Sequence, residues 1–105
     1  MNIKIRSKNF DITPAIDDYV NKKILTLEKF IDVKEGVLSE IEIGRTTTHH
    51  KSGDIFRTEV NITVPGSKQI YVVAEEADLY TAIDIVRDEA EREIVSVKNK
   101  VKNKF

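Results

Sequence analysis

Val72-Val73-Ala74-Glu75-Glu76-Ala77-Asp78-Leu79-Tyr80-Thr81-Ala82-Ile83-Asp84 changes its hydrophobic rhythm halfway through. Up to Ala74 it reads as a strand. Glu75 to Asp78 read as a tight acidic turn, and from Leu79 the apolar residues recur at helical spacing. Asp78 stands where a helix begins, so its carboxylate is placed to accept hydrogen bonds from the first free amides. Leu79, Ala82, Ile83, Val86, Ala90, Ile94, Val97 and Val101 then follow at intervals of three or four, which predicts one helix over about 78–102.

Working back from that junction, Ile70 to Ala74 form a strand behind the turn signal Pro65-Gly66-Ser67. Phe56, Thr58, Val60, Ile62 and Val64 alternate with Arg57, Glu59, Asn61 and Thr63, a strand with one buried face. Val37, Ser39, Ile41 and Ile43 do the same against Leu38, Glu40 and Glu42. Between these two strands Arg45 to Asp54 read as a polar loop carrying His49, His50 and Lys51. Ahead of Gly36, Ile16, Val20, Ile24, Leu27 and Ile31 form an amphipathic stripe widened by Tyr19 and Phe30, so a helix is predicted over about 14–31. Thr13 suits its N-cap and Pro14 its first turn, where a missing amide costs nothing. Ile3 and Ile5, alternating with polar neighbours, give the first strand.

The predicted order is β-α-β-β-β-α. Alternation on the strands requires only one face of the sheet to be covered, and two amphipathic helices can cover it. The expected fold is therefore an α+β two-layer sandwich, a four-stranded sheet with both helices on one face, as in double-stranded-RNA-binding-like folds. The helix between the first two strands permits a parallel crossover; short turns make the other pairs antiparallel.

A chain of 105 residues fits one domain, 1–105, and 40 % hydrophobic content supports a core. No apolar run is long enough to cross a bilayer, and no signal-like segment follows Met1, so the cytoplasm is the expected compartment. Zero cysteines exclude disulfides, thiol chemistry and cysteine zinc sites. Net charge is −1, so bulk composition gives no reason to expect nucleic acid. Its distribution is uneven. Eight acids lie between Glu75 and Glu93, then Lys98, Lys100, Lys102 and Lys104 follow with no acid among them. A locally basic end can present several kT of potential on a nearly neutral chain.

Those lysines suit the negative end of a helix dipole, and equally suit phosphate. Lys22, Lys23, Lys29 and Arg92 add cations on helix surfaces. His49-His50 lacks an obvious third ligand, so no metal is expected. Glu75, Glu76, Asp78 and Asp84 resemble paired carboxylates, but a turn and a helix N-terminus account for them without acid–base chemistry. Tyr80 lies beside the apolar stripe, as an aromatic at the core edge or as an exposed ring available to an RNA base. No catalytic motif is present, and no cofactor or small-molecule substrate is expected.

The string Asp78-Leu79-Tyr80-Thr81-Ala82-Ile83-Asp84 resembles the family of ribosome hibernation-promoting factors and ribosome-associated translation inhibitors, also called ribosomal subunit interface proteins. The resemblance runs along nearly the whole chain. Ile12-Thr13-Pro14-Ala15-Ile16 with Lys23 and Leu27-Glu28-Lys29 looks like the family's first helix. His49-His50-Lys51-Ser52-Gly53-Asp54 with Phe56-Arg57 looks like a branch with a longer loop. Arg92 and Lys98 fall where relatives carry basic residues, whereas Glu89 and Ser96 stand where relatives often carry lysine.

The resemblance implies a non-enzymatic protein that occupies the messenger- and transfer-RNA channel of the small ribosomal subunit and blocks translation in starved or stationary cells. Its expected RNA contacts are Lys22, Lys23, Lys29, Arg92, Lys98, Lys100 and Lys102, with Arg45 and Lys51 beside them. The expected partners are the small subunit and its RNA, with no membrane and a monomeric free protein. Ending at Phe105, the chain is expected to be a short form without the second domain of long relatives. The alternative reading is a protein-interaction module that pairs an exposed sheet edge with a partner chain. A hydrolase built on Asp84, Glu75 and the histidines has no motif to support it.

Overall fold

A computed structural model describes residues 1–31, 36–47, 53–66 and 69–102, with the backbone alone at 47 and 99–102. In chain order it has β1 (Asn2–Lys8), α1 (Pro14–Leu25), a 3₁₀ turn (Thr26–Phe30), β2 (Leu38–Thr47), β3 (Asp54–Thr63), β4 (Ile70–Glu76) and α2 (Leu79–Lys102). The strands lie in the order β1-β2-β3-β4 in a single mixed sheet. The predicted α+β sandwich and its element order are the observed ones.

β1 pairs parallel with β2, placing Ile3 opposite Ser39 and Ile5 opposite Ile41. The β2–β3 and β3–β4 pairs are antiparallel. Consequently β1, β2 and β4 point one way and only β3 returns. Each helix follows a strand that points that way, α1 after β1 and α2 after β4. Both helices therefore start at the same end of the sheet and run side by side in parallel over one face.

That face carries rows such as Ile5, Ile41, Val60 and Val72. Against it α1 and the 3₁₀ turn bury Val20, Ile24 and Leu27, and α2 buries Leu79, Ala82, Ile83, Val86, Ala90 and Ile94. The opposite face is uncovered and polar. Arg6 lies 3.6 Å from Glu42, and Arg57 bridges Glu59 and Glu75 at 3.0 Å each. Cross-strand pairs of this kind hold register where no core does. At the β3–β4 connection Pro65 precedes Gly66, whose φ of +76° is the left-handed value that a turn of this type reserves for glycine.

Three boundaries differ from the sequence reading, each for a local reason. The first helix does not continue as α-helix to 31. At Thr26 it tightens to 3₁₀, because the Thr26 amide reaches the Ile24 and Lys23 carbonyls and its hydroxyl donates to the Lys23 carbonyl at 2.5 Å. Arg45, Thr46 and Thr47 are not loop but the end of β2, in register with Phe56, Ile55 and Asp54. β-Branched threonine favours extended backbone, and the Thr46 hydroxyl donates across to the Ile55 carbonyl at 3.3 Å. Glu75 and Glu76 belong to β4 rather than to an acidic turn, since Glu75 sits opposite Arg57 and pairs with it.

The inward hydroxyl of Thr58 has no hydrogen-bond partner among the described residues, although the residue is fully buried. A buried polar atom left unpaired costs about 1–3 kcal/mol. Thr58→Val is expected to stabilise the domain by roughly 1 kcal/mol, raising the Tm by about 4–8 °C. A thermal melt that moves down instead would mean the hydroxyl is satisfied in solution.

Candidate nucleic-acid interface

Both helices begin with a side-chain cap. The Thr13 hydroxyl oxygen accepts from the Ile16 amide at 3.2 Å ahead of Pro14. One Asp78 carboxylate oxygen accepts from the Thr81 amide at 3.3 Å and from its hydroxyl at 2.6 Å. These bonds hold the Asp78 carboxyl below its ordinary pKa, the Thr81 hydroxyl first among the causes. The predicted cap is therefore present.

Parallel alignment brings equivalent turns of α1 and α2 together. The Tyr19 hydroxyl donates to Asp84 Oδ1 at 2.5 Å, and Lys23 Nζ lies 3.2 Å from the same oxygen. Lys23 also stands 5.5 Å from the Tyr19 ring centroid. The Tyr80 ring meets the Tyr19 ring edge-to-face, with centroids 4.8 Å apart and planes at 83°. One turn further on, Arg87 Nε donates to the Thr26 hydroxyl at 2.8 Å while its other nitrogen binds Glu91 at 2.6 Å and Asp88 at 3.1 Å. Asp84 is thus a bracket between helices. Its hydrogen bond raises the pKa of the Tyr19 phenol, and the same carboxylate raises that of Lys23.

This wiring sorts the cations singled out in the sequence. Lys23 is held by Asp84. Lys22 pairs with Asp18 at 3.1 Å on a largely exposed helix surface, a contact that ordinary solvation can exchange. Lys29, Arg92 and Lys98 are exposed and have no ion pair among the described residues; Lys29 stands 5.2 Å from the Phe30 ring centroid. Phe30, Val64, Ile70, Ile94, Val97 and Lys98 border one apolar recess, which places Lys98 at the same end of the helical layer as Lys29.

Arg45 is not in this group. It lies at the end of β2 beside the starts of the helices, 4.0 Å from Asp54, and its carbonyl accepts from the Asn9 side chain at 3.3 Å. Lys51, His49 and His50 lie outside the described residues, as do the side chains of Lys100 and Lys102 and the whole of Lys104.

The acids of α2 divide by flank. Asp84, Asp88 and Glu91 are taken up by Lys23 and Arg87. At about 100° per residue, Glu89, Glu93 and Ser96 fall on the flank turned away from α1. The Tyr19–Asp84–Lys23 bracket and the Arg87 hub were not legible in the sequence, although spacings of four (Tyr19 to Lys23, Tyr80 to Asp84) put each pair on one helix face.

A small mixed sheet under two parallel helices, with Lys29 and Lys98 exposed at one end of the helical layer and without an ion pair among the described residues, defines the class of fold. Comparison with known proteins names the family. Residues 3–102 match the family described as sigma 54 modulation protein / S30EA ribosomal protein, and the chain belongs to it. It is 31 % identical over 106 residues to the ribosome hibernation promotion factor of Bacillus subtilis (strain 168), covering 100 % of this chain and 52 % of that one. It is also 31 % identical over 102 residues to the ribosome hibernation promoting factor of Klebsiella oxytoca, covering 97 % and 98 %. The chain thus spans about half of the Bacillus protein and nearly all of the Klebsiella one.

Among solved structures, the N-terminal domain of Thermus thermophilus Protein Y superimposes with a TM-score of 0.74 at 34 % identity, over 90 % of this chain and 96 % of that one. A ribosomal subunit interface protein from Coxiella burnetii shares the fold, with a TM-score of 0.73 at 21 % identity over 94 % and 99 %. The edge-pairing module is not favoured by these likenesses.

The bracket has a pH signature. Tyr19 and Lys23 have raised pKa values, so their contribution is complete below their ordinary values, near 10, and fades as pH climbs through the raised ones. Asp78, depressed, contributes fully above the ordinary aspartate value and loses its contribution as pH falls through the lower folded one. Asp84→Asn is expected to lower the Tm at pH 7 and to flatten its decline above pH ~10. Tyr19→Phe, which removes only the hydroxyl, is expected to cost roughly 1 kcal/mol by chemical denaturation. Parallel Tm–pH curves for wild type and Asp84→Asn would show the bracket to be idle.

Proposed function

We propose that this protein is a ribosome-binding hibernation factor that acts by occupancy. The match of residues 3–102 to the S30EA family carries this reading, and its relatives bear the name of hibernation factors along the whole matched length. In the finer form of the proposal, residues 1–105 act as one domain in the messenger- and transfer-RNA channel of the small subunit. There they exclude the ligands that translation needs while cells are starved or stationary. No bond is made or broken. The working compartment is the cytoplasm, and the free protein is a monomer.

The proposed RNA surface is the helical layer. Lys29, Arg92 and Lys98 are its principal phosphate contacts, joined by Lys100 and Lys102 along α2 and by Lys22, whose partner Asp18 is exposed and exchangeable. Lys23 contributes by holding the helices together. Arg45, away from the end where Lys29 and Lys98 lie, is a secondary contact, and so is Lys51, which lies outside the described residues. Phosphates are met through exposed cations because each neutralised phosphate releases condensed counterions, which makes affinity depend on salt.

Co-sedimentation with purified small subunits tests the proposal. Binding is expected at low salt and is expected to fall as salt rises; absence of binding at low salt overturns it. Replacing Lys29, Arg92 and Lys98 together by Glu is expected to reduce the log–log salt slope by about 2–3 units, at ~0.7–0.9 per contact, with the fold intact by thermal melt. An unchanged slope in the folded variant moves the contacts to other residues.

A further inference from the structure

Tyr80 is 39 % exposed, one of three large apolar side chains left at the surface among the described residues, with Leu25 and Tyr71. Tyr71 belongs to the open sheet face. Tyr80 stands on the helical layer, at the junction that carries Lys22 and Lys23. Its ring is held by the edge-to-face contact with Tyr19, and Tyr19 is itself fixed by Asp84 and Lys23. The Tyr80 hydroxyl makes no hydrogen bond among the described residues, so the ring is held by its contact with Tyr19 and not by its polar tip.

Charge at this spot cancels, Lys23 against Asp84 at 3.2 Å, with side chains 38 % and 44 % exposed. A phosphate gains little there. A planar ring gains more, because stacking on a pre-oriented aromatic needs no net charge and immobilises few rotatable bonds. Lys22, at the next position along α1 from that pair and held only by the exposed Asp18, is available to a neighbouring phosphate.

We propose that Tyr80 is a stacking platform for one unpaired RNA base, with Lys22 taking an adjacent phosphate. Unpaired bases are the part of RNA that aromatic side chains engage. This site rests on the ribosome-binding reading and adds to it a contact whose strength does not depend on salt. The bracket beside Tyr80 thereby acquires a role beyond stability: Tyr19 and Asp84 are positioning residues that hold the Tyr80 ring.

The test compares wild type, Tyr80→Phe, Tyr80→Leu and Tyr80→Trp for binding to purified small ribosomal subunits across a salt series. Tyr80→Leu is expected to weaken binding roughly 5- to 150-fold at every salt concentration with the slope unchanged, the signature of lost stacking. Tyr80→Phe keeps the ring and is expected to bind as wild type. Tyr80→Trp introduces the sole tryptophan of a chain that has none, and its emission is expected to be quenched on binding.

If wild type fails to bind subunits, the ribosome-binding reading falls and this inference with it. If wild type binds and Tyr80→Leu binds equally, or Tyr80→Phe loses as much as Tyr80→Leu, only the platform is overturned. Should Tyr80→Leu fail to fold, the tryptophan variant decides: bound but unquenched emission overturns the stacking.

Discussion

The parallel pairing of β1 with β2 is the constraint on which the other features rest. A parallel pair needs a crossover, and α1 supplies it on the face that the alternation of β1 and β2 makes apolar. With β1, β2 and β4 pointing one way, the strand before each helix delivers the chain to the same end of the sheet. Two helices that start together and run together present equivalent turns to one another. The pairs Tyr19 with Tyr80, Lys23 with Asp84 and Thr26 with Arg87 are what that alignment brings into contact. An antiparallel arrangement of the same helices would separate all three.

Parallel neighbours also align their dipoles, which is unfavourable and calls for compensation at both ends. The charges follow that demand. Asp17, Asp18 and Asp78 lie toward the positive ends, while Lys22, Lys23, Lys29 and Lys98 lie toward the negative ends. Cations gathered there for the sake of the dipoles are also cations on one exposed surface. A basic end on the last helix serves a solvated terminus and a phosphate contact alike. Folding gathers the charge, and binding can use it without further cost to the core.

The proposed inhibition by occupancy would need a rigid shape and a surface, not a reactive group. The structure supplies rigidity through a core with Ile24, Leu27, Ile41, Ile43, Ile62 and Ile83 fully or almost fully buried. It supplies local order at the helix junction through Asp84, whose single carboxylate engages a phenol and an ammonium. The acids that make α2 look hostile to RNA are mostly spoken for. Asp84, Asp88 and Glu91 are matched by Lys23 and Arg87, and Glu89 faces the flank away from α1. Net charge near zero is thus compatible with a helical layer on which Lys29, Arg92 and Lys98 have no ion pair among the described residues.

The amino-acid sequence by itself determined the element order, the two apolar stripes, the inward residues of the first three strands and the caps at Thr13 and Asp78. These follow from periodicity and from the local chemistry of free amides, which reach only a few residues along the chain. It also carried enough similarity at Asp78 to Asp84 to point to the family. Ends of elements were less legible: Thr26 looked helical, and Arg45 to Thr47 looked like loop, because a hydroxyl bonding back to a carbonyl and a cross-strand partner decide them. Tertiary structure alone decided which charges are free. Lys22, Lys23 and Lys29 are alike in sequence, each off the apolar stripe, yet Lys23 meets Asp84, Lys22 meets Asp18, and Lys29 stands by the Phe30 ring with no ion pair among the described residues. The Lys22 pair is a local spacing of four, but the partner of Lys23 lies about sixty positions away, brought within reach by the parallel helices, and no local pattern encodes it.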